Sequence, residues 1–304
     1  MADQQQICET YNYMDDIFRL SFGENADITC AMYNGDFAKS LEQAQSEKHE
    51  YILNALNVRE GSTLLDIGCG WGPLLSKAKE RKADGIGLTL STKQAESCKA
   101  HQLQVYIKNW KAINSDPTFA KFDAIASVGS FEHFCSIDEY LANQQDEIYQ
   151  DFFEFCYNRL PPGGRLFLQT MMWGRNAPSY EEISLKAKWG SSKYLLAVLE
   201  KFYPGSWLPD GKEQIVKIAA PYFRLISSNN GRKDYIQTMD EWSKRLYRPS
   251  LQKLVKVFSL VPDLLKNKDF RYKVESLIFL GGYNKECFIR EVMDHERIVF
   301  ERLS

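Results

Sequence analysis

The sequence DIGCGWG at 66–72 places the carboxylate of Asp66 two residues before the first of three alternating glycines. Glycine permits positive φ angles and lets a ligand approach the backbone closely, and a carboxylate attracts a positively charged group. The spacing differs from the G-x-G-x-x-G fingerprint of dinucleotide binding, so a pyrophosphate cradle is not the best interpretation. Taken alone, the motif is also compatible with a purely structural turn.

The residues around this motif predict alternating strands and helices. Apolar runs predict strands at 63–68, 85–90, 104–109, 122–128, 164–171, 221–229 and 296–303. Helical periodicity predicts helices at 7–22, 37–56, 73–81, 93–102 and 140–159. This alternation is typical of an α/β fold in which helices cover both faces of a parallel sheet. Ligands of such folds bind at the carboxyl ends of the strands, where the glycine motif is predicted to lie.

The remaining segments are predicted to surround this core. Residues 1–60 form a helical N-terminal cap, and residues 61–304 form the core. Two segments, at about 172–220 and 236–283, are predicted to be mainly helical insertions. Since no linker separates these parts, one structural unit is expected.

Composition excludes several classes of function. The 304 residues include 38 Lys and Arg against 40 Asp and Glu, and this balance argues against a nucleic-acid binder. The seven cysteines form no C-x-x-C pair and the four histidines no H-E-x-x-H motif, so no metal site is expected. The N-terminal residues do not look like a signal peptide, and no apolar run reaches the roughly 18–20 residues of a membrane span. A cytoplasmic protein is therefore expected.

Further motifs follow the glycines in a fixed order, namely GIGLTLSTKQ, SVGSFEHF and LPPGGRLFLQT. With LLDIGCGWG they resemble the motif set of class I S-adenosylmethionine-dependent methyltransferases. More narrowly, the chain resembles the cyclopropane-fatty-acid and mycolic-acid cyclopropane synthases, and ITCAMY, FYPGSWLP and YIQTMDEW extend the likeness over most of its length. The resemblance implies a Rossmann-like fold with a seven-stranded, mostly parallel sheet.

The resemblance also implies S-adenosyl-L-methionine as the cofactor. The matching positions are Thr29, Asp66, Gly68, Gly70, Gly72, Thr89, Leu90, Gln94, Asn109 and Trp110. The three glycines match positions that hold the methionine part of the cofactor. Asn109 and Trp110 match the segment beside the adenine, and Lys111 stands where the family often has an acid.

In this family the sulfonium methyl is transferred to a carbon–carbon double bond of an acyl chain. The resulting carbocation closes a cyclopropane ring when a base removes a proton from the new methyl, and otherwise gives a methylated alkene or an alcohol. The family is thought to use bound bicarbonate as the base, so bicarbonate is a second implied cofactor. The matching catalytic positions are Tyr11, Cys30 (through its backbone), Val128, Glu132, Gln169 and Tyr235.

Gln169 departs from the family, which has a histidine at this position. A carboxamide donates a hydrogen bond but does not titrate. The site therefore either binds bicarbonate through Gln169, Glu132 and Tyr235, or serves a substrate that needs no such base. His133, next to Glu132, is predicted to face another direction and to serve packing.

The leading hypothesis is a C-methyltransferase that acts on an unsaturated acyl chain of a phospholipid or a carrier protein. The alternative is a methyltransferase for a small metabolite, at nitrogen or at an alkene carbon. A third possibility is a non-catalytic scaffold, against which the intact Asp66 and Glu132 argue.

One segment suggests peripheral contact with an anionic membrane. Residues 244–273 contain nine basic and two acidic side chains, which gives a net charge of +7. Within the segment, LQKLVKVFSLVPDLLK mixes apolar and basic positions, as do helices that lie on anionic lipid. The alternative is a solvated helix face that packs over the core.

Overall fold

The computed structural model describes residues 22, 27–114, 116–201, 205–266, 268, 271–272 and 282–304. Apart from Phe22, the helix predicted at 7–22 lies outside the described residues, and so does the candidate catalytic residue Tyr11.

A seven-stranded sheet forms the centre of the fold. Its strands are β1 (Thr63–Ile67), β2 (Asp84–Thr89), β3 (Gln104–Ile107), β4 (Ala124–Val128), β5 (Arg165–Trp173), β6 (Phe223–Asn230) and β7 (Met293–Arg302). Their order is β3-β2-β1-β4-β5-β7-β6. Strands β1 to β5 pair in parallel, whereas β7 is antiparallel to both β5 and β6. The predicted seven-stranded, mostly parallel sheet is confirmed.

Strand β1 lies between β2 and β4, so the chain leaves it in opposite directions across the sheet. A crevice forms at the carboxyl ends of strands at such a reversal. Both faces of β1 are buried, because Leu64 and Leu65 point to opposite sides and pack into different hydrophobic clusters, with Phe167 and Phe152 respectively. This two-sided burial explains why the consecutive residues Leu64 and Leu65 are both apolar.

The described helices are α1 (Leu41–Ala55), α2 (Pro73–Glu80), α3 (Thr92–Ala100), α4 (Ile137–Leu141), α5 (Gln145–Arg159), α6 (Ser192–Leu199), α7 (Lys212–Ala219), α8 (Arg232–Tyr247), α9 (Leu251–Lys266) and α10 (Tyr283–Ile289). Short 3-10 turns lie at Trp110–Ile113, Pro117–Phe119, Phe131–His133 and Tyr180–Glu182. In the part of the chain that the structure describes, no helix is both long and apolar enough to cross a membrane.

Two predicted helix boundaries are wrong for local reasons. Helix α1 begins at Leu41 and not at residue 37, because the Ser40 and Gln43 side chains cap its first turn reciprocally. The single helix predicted at 140–159 is two helices, α4 and α5, since Asn143 adopts a φ of 57° between them. That backbone conformation ends a right-handed helix.

Candidate active site

A cavity, here called the first cavity, opens at the carboxyl ends of β1, β2 and β4. Its wall contains many of the predicted site residues, namely Thr29, Gly68, Gly70, Thr89, Leu90, Gln94, Asn109, Trp110 and Val128. These positions come from five separate segments of the sequence. The sheet topology therefore brings together positions that the motifs identify only one at a time.

The three glycines of the motif have different structural roles. Gly70 lines the first cavity with a φ of +55°, and apart from its two chain neighbours no described residue has a heavy atom within 4 Å of the place that a Cβ would take. A Cβ at Gly68 would lie 2.4 Å from Ser130 Cβ, although Gly68 also lines the cavity. Gly72 is not among the lining residues, and a Cβ there would lie 2.5 Å from Leu103 Cδ1. Open space for a ligand is thus found at Gly70, whereas Gly72 is favoured by its φ of +81° and by the close approach of Leu103.

Hydrogen bonds hold the segments after β2 and β3 that contribute to the first cavity. The Thr89 hydroxyl donates to Gln94 Oε1 over 2.6 Å. Asn109 Oδ1 accepts from the backbone N–H of Lys111 over 2.9 Å and so caps the 3-10 turn that carries Trp110. This cap ends β3 at residue 107, two residues earlier than predicted. The Trp110 Nε1–H is buried and has no acceptor among the described residues, which fits a wall that a ligand completes.

Asp66 is buried beside a smaller cavity that shares Thr29, Gly68 and Gly70 with the first cavity. Its Oδ1 is buried and has no hydrogen-bond partner among the described residues. Burial, reinforced by the negative charge of Asp27, raises the pKa of Asp66 to about 7. A buried carboxylate of this kind is suited to bind a positively charged group of a ligand.

Two buried cations fix the cap segment, residues 27–34, which contributes Thr29 to the first cavity. The first cation is Lys48, whose Nζ lies 2.8 Å from Asp27 Oδ2 and 2.6 Å from Thr29 Oγ1. His49 Nε2 lies 2.9 Å from the same carboxylate oxygen. Burial alone would raise the pKa of Asp27, but Lys48 and His49 hold that pKa well below its usual range.

The second cation is Arg297 on β7, which is completely buried. Its guanidinium donates to the carbonyl of Ala31 in the cap segment over 2.7 Å and to Asp234 Oδ2 on α8 over 3.0 Å. It also donates to Gln169 Oε1 on β5 over 3.3 Å. Asp234 in turn accepts from the backbone N–H of Asn34, at the other end of the cap segment. Arg297 therefore joins the cap segment to both the sheet and α8.

The candidate catalytic residues Gln169 and Cys30 meet within this Arg297 network. Gln169 Nε2 donates to the carbonyl of Cys30 over 3.3 Å, while Gln169 Oε1 accepts from Arg297. The Cys30 Sγ lies 3.2 Å from the guanidinium, and burial raises the pKa of the thiol to about 12. One N–H and the oxygen of the Gln169 amide therefore bind protein groups, which fixes the orientation of this side chain.

Tyr235 lies beside the Arg297 network, on the first turn of α8. Its ring packs against Phe288 and His295, at centroid distances of 4.9 and 5.2 Å. His295 Nδ1 is buried without a partner among the described residues. Burial and the neighbouring Arg297 keep the pKa of His295 well below its usual value, so the imidazole is neutral.

Glu132 lies in another cavity, here called the second cavity, which is mainly apolar and aromatic. Its wall includes Ile137, Met171, Trp173, Tyr180, Ile183, Leu196, Leu199, Trp207, Leu208 and Met293. Glu132 Oε1 accepts from the backbone N–H of Met171 over 2.8 Å, whereas Oε2 is buried without a partner among the described residues. Burial raises the pKa of Glu132 to about 7, although the hydrogen bond from Met171 opposes the change.

His133 lines both cavities, so the prediction that it faces elsewhere and only serves packing is wrong. Glu132 and His133 are consecutive residues of the 3-10 turn Phe131–His133, and both line the second cavity. His133 Nδ1 lies 2.8 Å from Ser206 Oγ. Burial lowers the pKa of His133 to about 4, so this imidazole is also neutral near pH 7.

Sequence reasoning missed the ionisable residues that hold the site together, namely Asp27, Lys48, His49, Asp234 and Arg297. The one available signal was an arginine inside a predicted strand, and Arg297 is separated from Asp234 by 63 residues. No spacing rule links positions that far apart. Among the described residues, no cluster of His, Cys, Asp and Glu is arranged to hold a metal ion.

Comparison with known proteins identifies relatives of the chain. A family model described as mycolic acid cyclopropane synthetase matches residues 1–262. The S-adenosylmethionine-dependent methyltransferase UmaA of Mycobacterium tuberculosis is 32% identical over 246 residues, which cover 78% of this chain and 80% of that protein. Cyclopropane mycolic acid synthase 3 of the same species is 30% identical over 251 residues, which cover 78% and 79%.

Solved structures share the fold. The cyclopropane synthase MmaA2 from Mycobacterium tuberculosis has a TM-score of 0.74 at 23% identity, with 99% of both chains covered. The mycolic acid cyclopropane synthase CmaA1, complexed with SAH and CTAB, has a TM-score of 0.75 at 23% identity, with 98% of both chains covered. The family match and the relatives at 30% identity or more show that the chain belongs to the mycolic acid cyclopropane synthetase family of S-adenosylmethionine-dependent methyltransferases.

Proposed function

We propose that the enzyme transfers the methyl group of S-adenosyl-L-methionine to a double bond of an unsaturated acyl chain, with a cyclopropane as the product. The observation that carries this proposal is the second cavity, which adjoins the first at His133 and has a mainly apolar wall. Such a wall binds a hydrocarbon chain through burial of apolar surface. The names of cyclopropane mycolic acid synthase 3 and MmaA2 support the same class of substrate.

The first cavity is the proposed binding site of the cofactor. The open space over Gly70 and the unpaired Oδ1 of Asp66 both fit a ligand with a cationic amino group near the glycine loop. When bound, S-adenosyl-L-methionine supplies an electrophilic sulfonium methyl. The task of the chain is to align the double bond with this methyl and to exclude water. Thr29, which is held by a hydrogen bond from Lys48, lines the first cavity and helps to exclude water.

Glu132 is the proposed proton acceptor for ring closure. After methyl transfer, a C–H bond of the new methyl breaks, its electron pair forms the third ring bond to the cationic carbon, and the proton goes to Glu132. The Oε2 atom is available for this proton because it has no hydrogen-bond partner among the described residues. With a pKa of about 7, a large fraction of Glu132 is ionised near neutral pH. We assign no step to bicarbonate, because Glu132 itself offers a carboxylate oxygen for the proton.

A second candidate function is the methylation of a small amine. Besides Glu132, the second cavity contains the carboxylate of Glu200 and the rings of Trp173, Tyr180 and Trp207. Carboxylates and aromatic faces both bind cations, so an ammonium-bearing metabolite also suits this wall.

Fatty-acid mass spectrometry on a bacterial host without its own cyclopropane synthase tests the main proposal. Expression of the protein is expected to convert unsaturated chains into products that contain one more CH₂ and resist mild hydrogenation. Glu132→Gln keeps the shape of the side chain but removes the carboxylate, so it tests the proposed proton acceptor. It is expected to lower the product signal while the purified variant binds the cofactor as the wild type does. Unchanged acyl chains, with cofactor binding intact, would contradict the acyl substrate and favour the amine.

Cofactor affinity is expected to rise with pH around the pKa of Asp66. That pKa is about 7, because burial and Asp27 oppose ionisation. The ionised carboxylate binds a cationic amino group better than the neutral acid does, so binding at lower pH must release a proton. Below pH 7 the affinity is therefore expected to fall by up to about tenfold per pH unit.

Titration calorimetry in buffers with different ionisation enthalpies measures both the affinity and the released proton. Asp66→Asn is expected to abolish the pH dependence and the proton release. Glu132→Gln removes another carboxyl group whose pKa is about 7, and it is expected to keep the pH dependence and the proton release. A wild-type affinity that does not change with pH would show that Asp66 does not contact the cationic group.

A further inference from the structure

Helix α9 presents a row of exposed apolar side chains, here called the α9 strip. It consists of Leu251, Val255, Phe258, Val261 and Leu265, which are 78%, 63%, 73%, 39% and 76% exposed. With 3.6 residues per turn, these positions fall within an arc of about 120° on the helix. Single exposed apolar residues are common on protein surfaces, but five on one helix face form a continuous apolar surface.

The α9 strip lies in the most basic part of the chain. The surrounding segment 244–273 has a net charge of +7, whereas the whole chain has a net charge of −2. Exposed basic residues stand at both ends of the helix, with Lys244 and Arg248 before it and Lys266, Lys268 and Arg271 at and beyond its end. An apolar surface with positive charge at both ends is complementary to a bilayer with anionic headgroups.

We propose that the α9 strip inserts into the surface of an anionic lipid bilayer, with the basic residues at its ends in contact with the headgroups. Charge complementarity favours a lipid bilayer over an apolar protein groove, because binding to such a groove would not require positive charge at both ends of the helix. Only residues 248–250 separate α9 from α8, the helix that carries Asp234 and Tyr235 of the site. The purpose of this membrane binding rests on the proposed acyl substrate. Its test measures binding without catalysis, so the membrane proposal and the substrate proposal can fail separately.

Cosedimentation of the full-length protein with vesicles tests this proposal. The wild type is expected to bind vesicles made of equal parts phosphatidylcholine and phosphatidylglycerol, and to bind pure phosphatidylcholine weakly. High salt is expected to reduce binding, because it screens the headgroup attraction. Phe258→Glu/Leu265→Glu is expected to lower the partition coefficient at least about tenfold, since two charged side chains oppose insertion.

The matched control is Leu141→Glu/Trp189→Glu, which adds the same charge at apolar residues that are 49% and 58% exposed outside α9. It is expected to partition as the wild type does, and both double variants are expected to bind the cofactor normally. Equal loss of binding in the two variants, or wild-type binding that is absent or insensitive to salt, would overturn the proposal. A dimer that only the α9 variant dissociates would assign the strip to a second copy.

Discussion

Replacing Arg297 with methionine is expected to lower the free energy of unfolding by about 3–5 kcal/mol, because it removes one partner of a buried ion pair. Methionine fills part of the same space but has no N–H groups. The carboxylate of Asp234, which is 6% exposed, would lose its cation, and the carbonyl of Ala31 would lose its donor. Because the same guanidinium holds the cap segment, cofactor affinity is expected to fall as well. Urea denaturation and cofactor titration measure the two effects.

Two further variants make the Arg297 test specific. Asp234→Asn/Arg297→Met removes both charges and is expected to be destabilised by about 1–3 kcal/mol less than the sum of the single changes, since the two residues interact directly. Arg224→Met removes an arginine that is 66% exposed and pairs with Glu301. It is expected to lower the free energy of unfolding by about 0–1 kcal/mol, which is the usual contribution of a surface ion pair, and to leave cofactor affinity unchanged. Similar losses for Arg297→Met and Arg224→Met would refute a special role for the buried network.

An alanine at Gly70 is expected to weaken cofactor binding by about 10- to 100-fold, because the added methyl group occupies space that the ligand needs. The position lines the first cavity, and apart from its two chain neighbours no described residue has an atom within 4 Å of the added Cβ. The substitution also places alanine at a φ of +55°, which is expected to lower stability by about 1–2 kcal/mol. Calorimetric titration with S-adenosyl-L-methionine separates the loss of affinity from the loss of stability.

Gly163 offers a matched control for Gly70. It has a φ of +75° with open space around its would-be Cβ, and it lines neither the first nor the second cavity. Gly163→Ala therefore introduces the same kind of backbone strain and is expected to lower stability by a similar amount, with cofactor affinity unchanged. If both variants bind the cofactor equally well, the first cavity is not the cofactor site.

The parts of the fold that depend on nearby residues could be predicted from the sequence. The strand before Asp66 and the glycine turn after it lie within one short stretch, and apolar periodicity placed the strands of the sheet. Local prediction failed where one residue changed the backbone, as at Asn143, whose positive φ divides the predicted helix. It also failed for His133, because the sequence does not show that the turn Phe131–His133 lies between two cavities.

The site could be predicted only as far as matching motifs allowed. Gln169 was recognised as a departure from the family, but the consequence depends on its partners, Cys30 and Arg297. These residues lie 139 and 128 positions away in the sequence. A contact over such a distance is decided by the register of β5 against β7, which pairs Gln169 with Arg297 across the sheet. Neither strand contains a local signal of that register.

The position of β7 also determines the order in which the protein can be assembled. This strand lies between β5 and β6, although it follows both of them in the chain, and it carries the arginine that holds the cap segment. During synthesis, therefore, β5 and β6 leave the ribosome with unpaired edges and remain so until residues 293–302 emerge. Unpaired edges of this kind favour aggregation. A chain that is truncated before residue 293 is expected to yield insoluble protein and not a weakened enzyme.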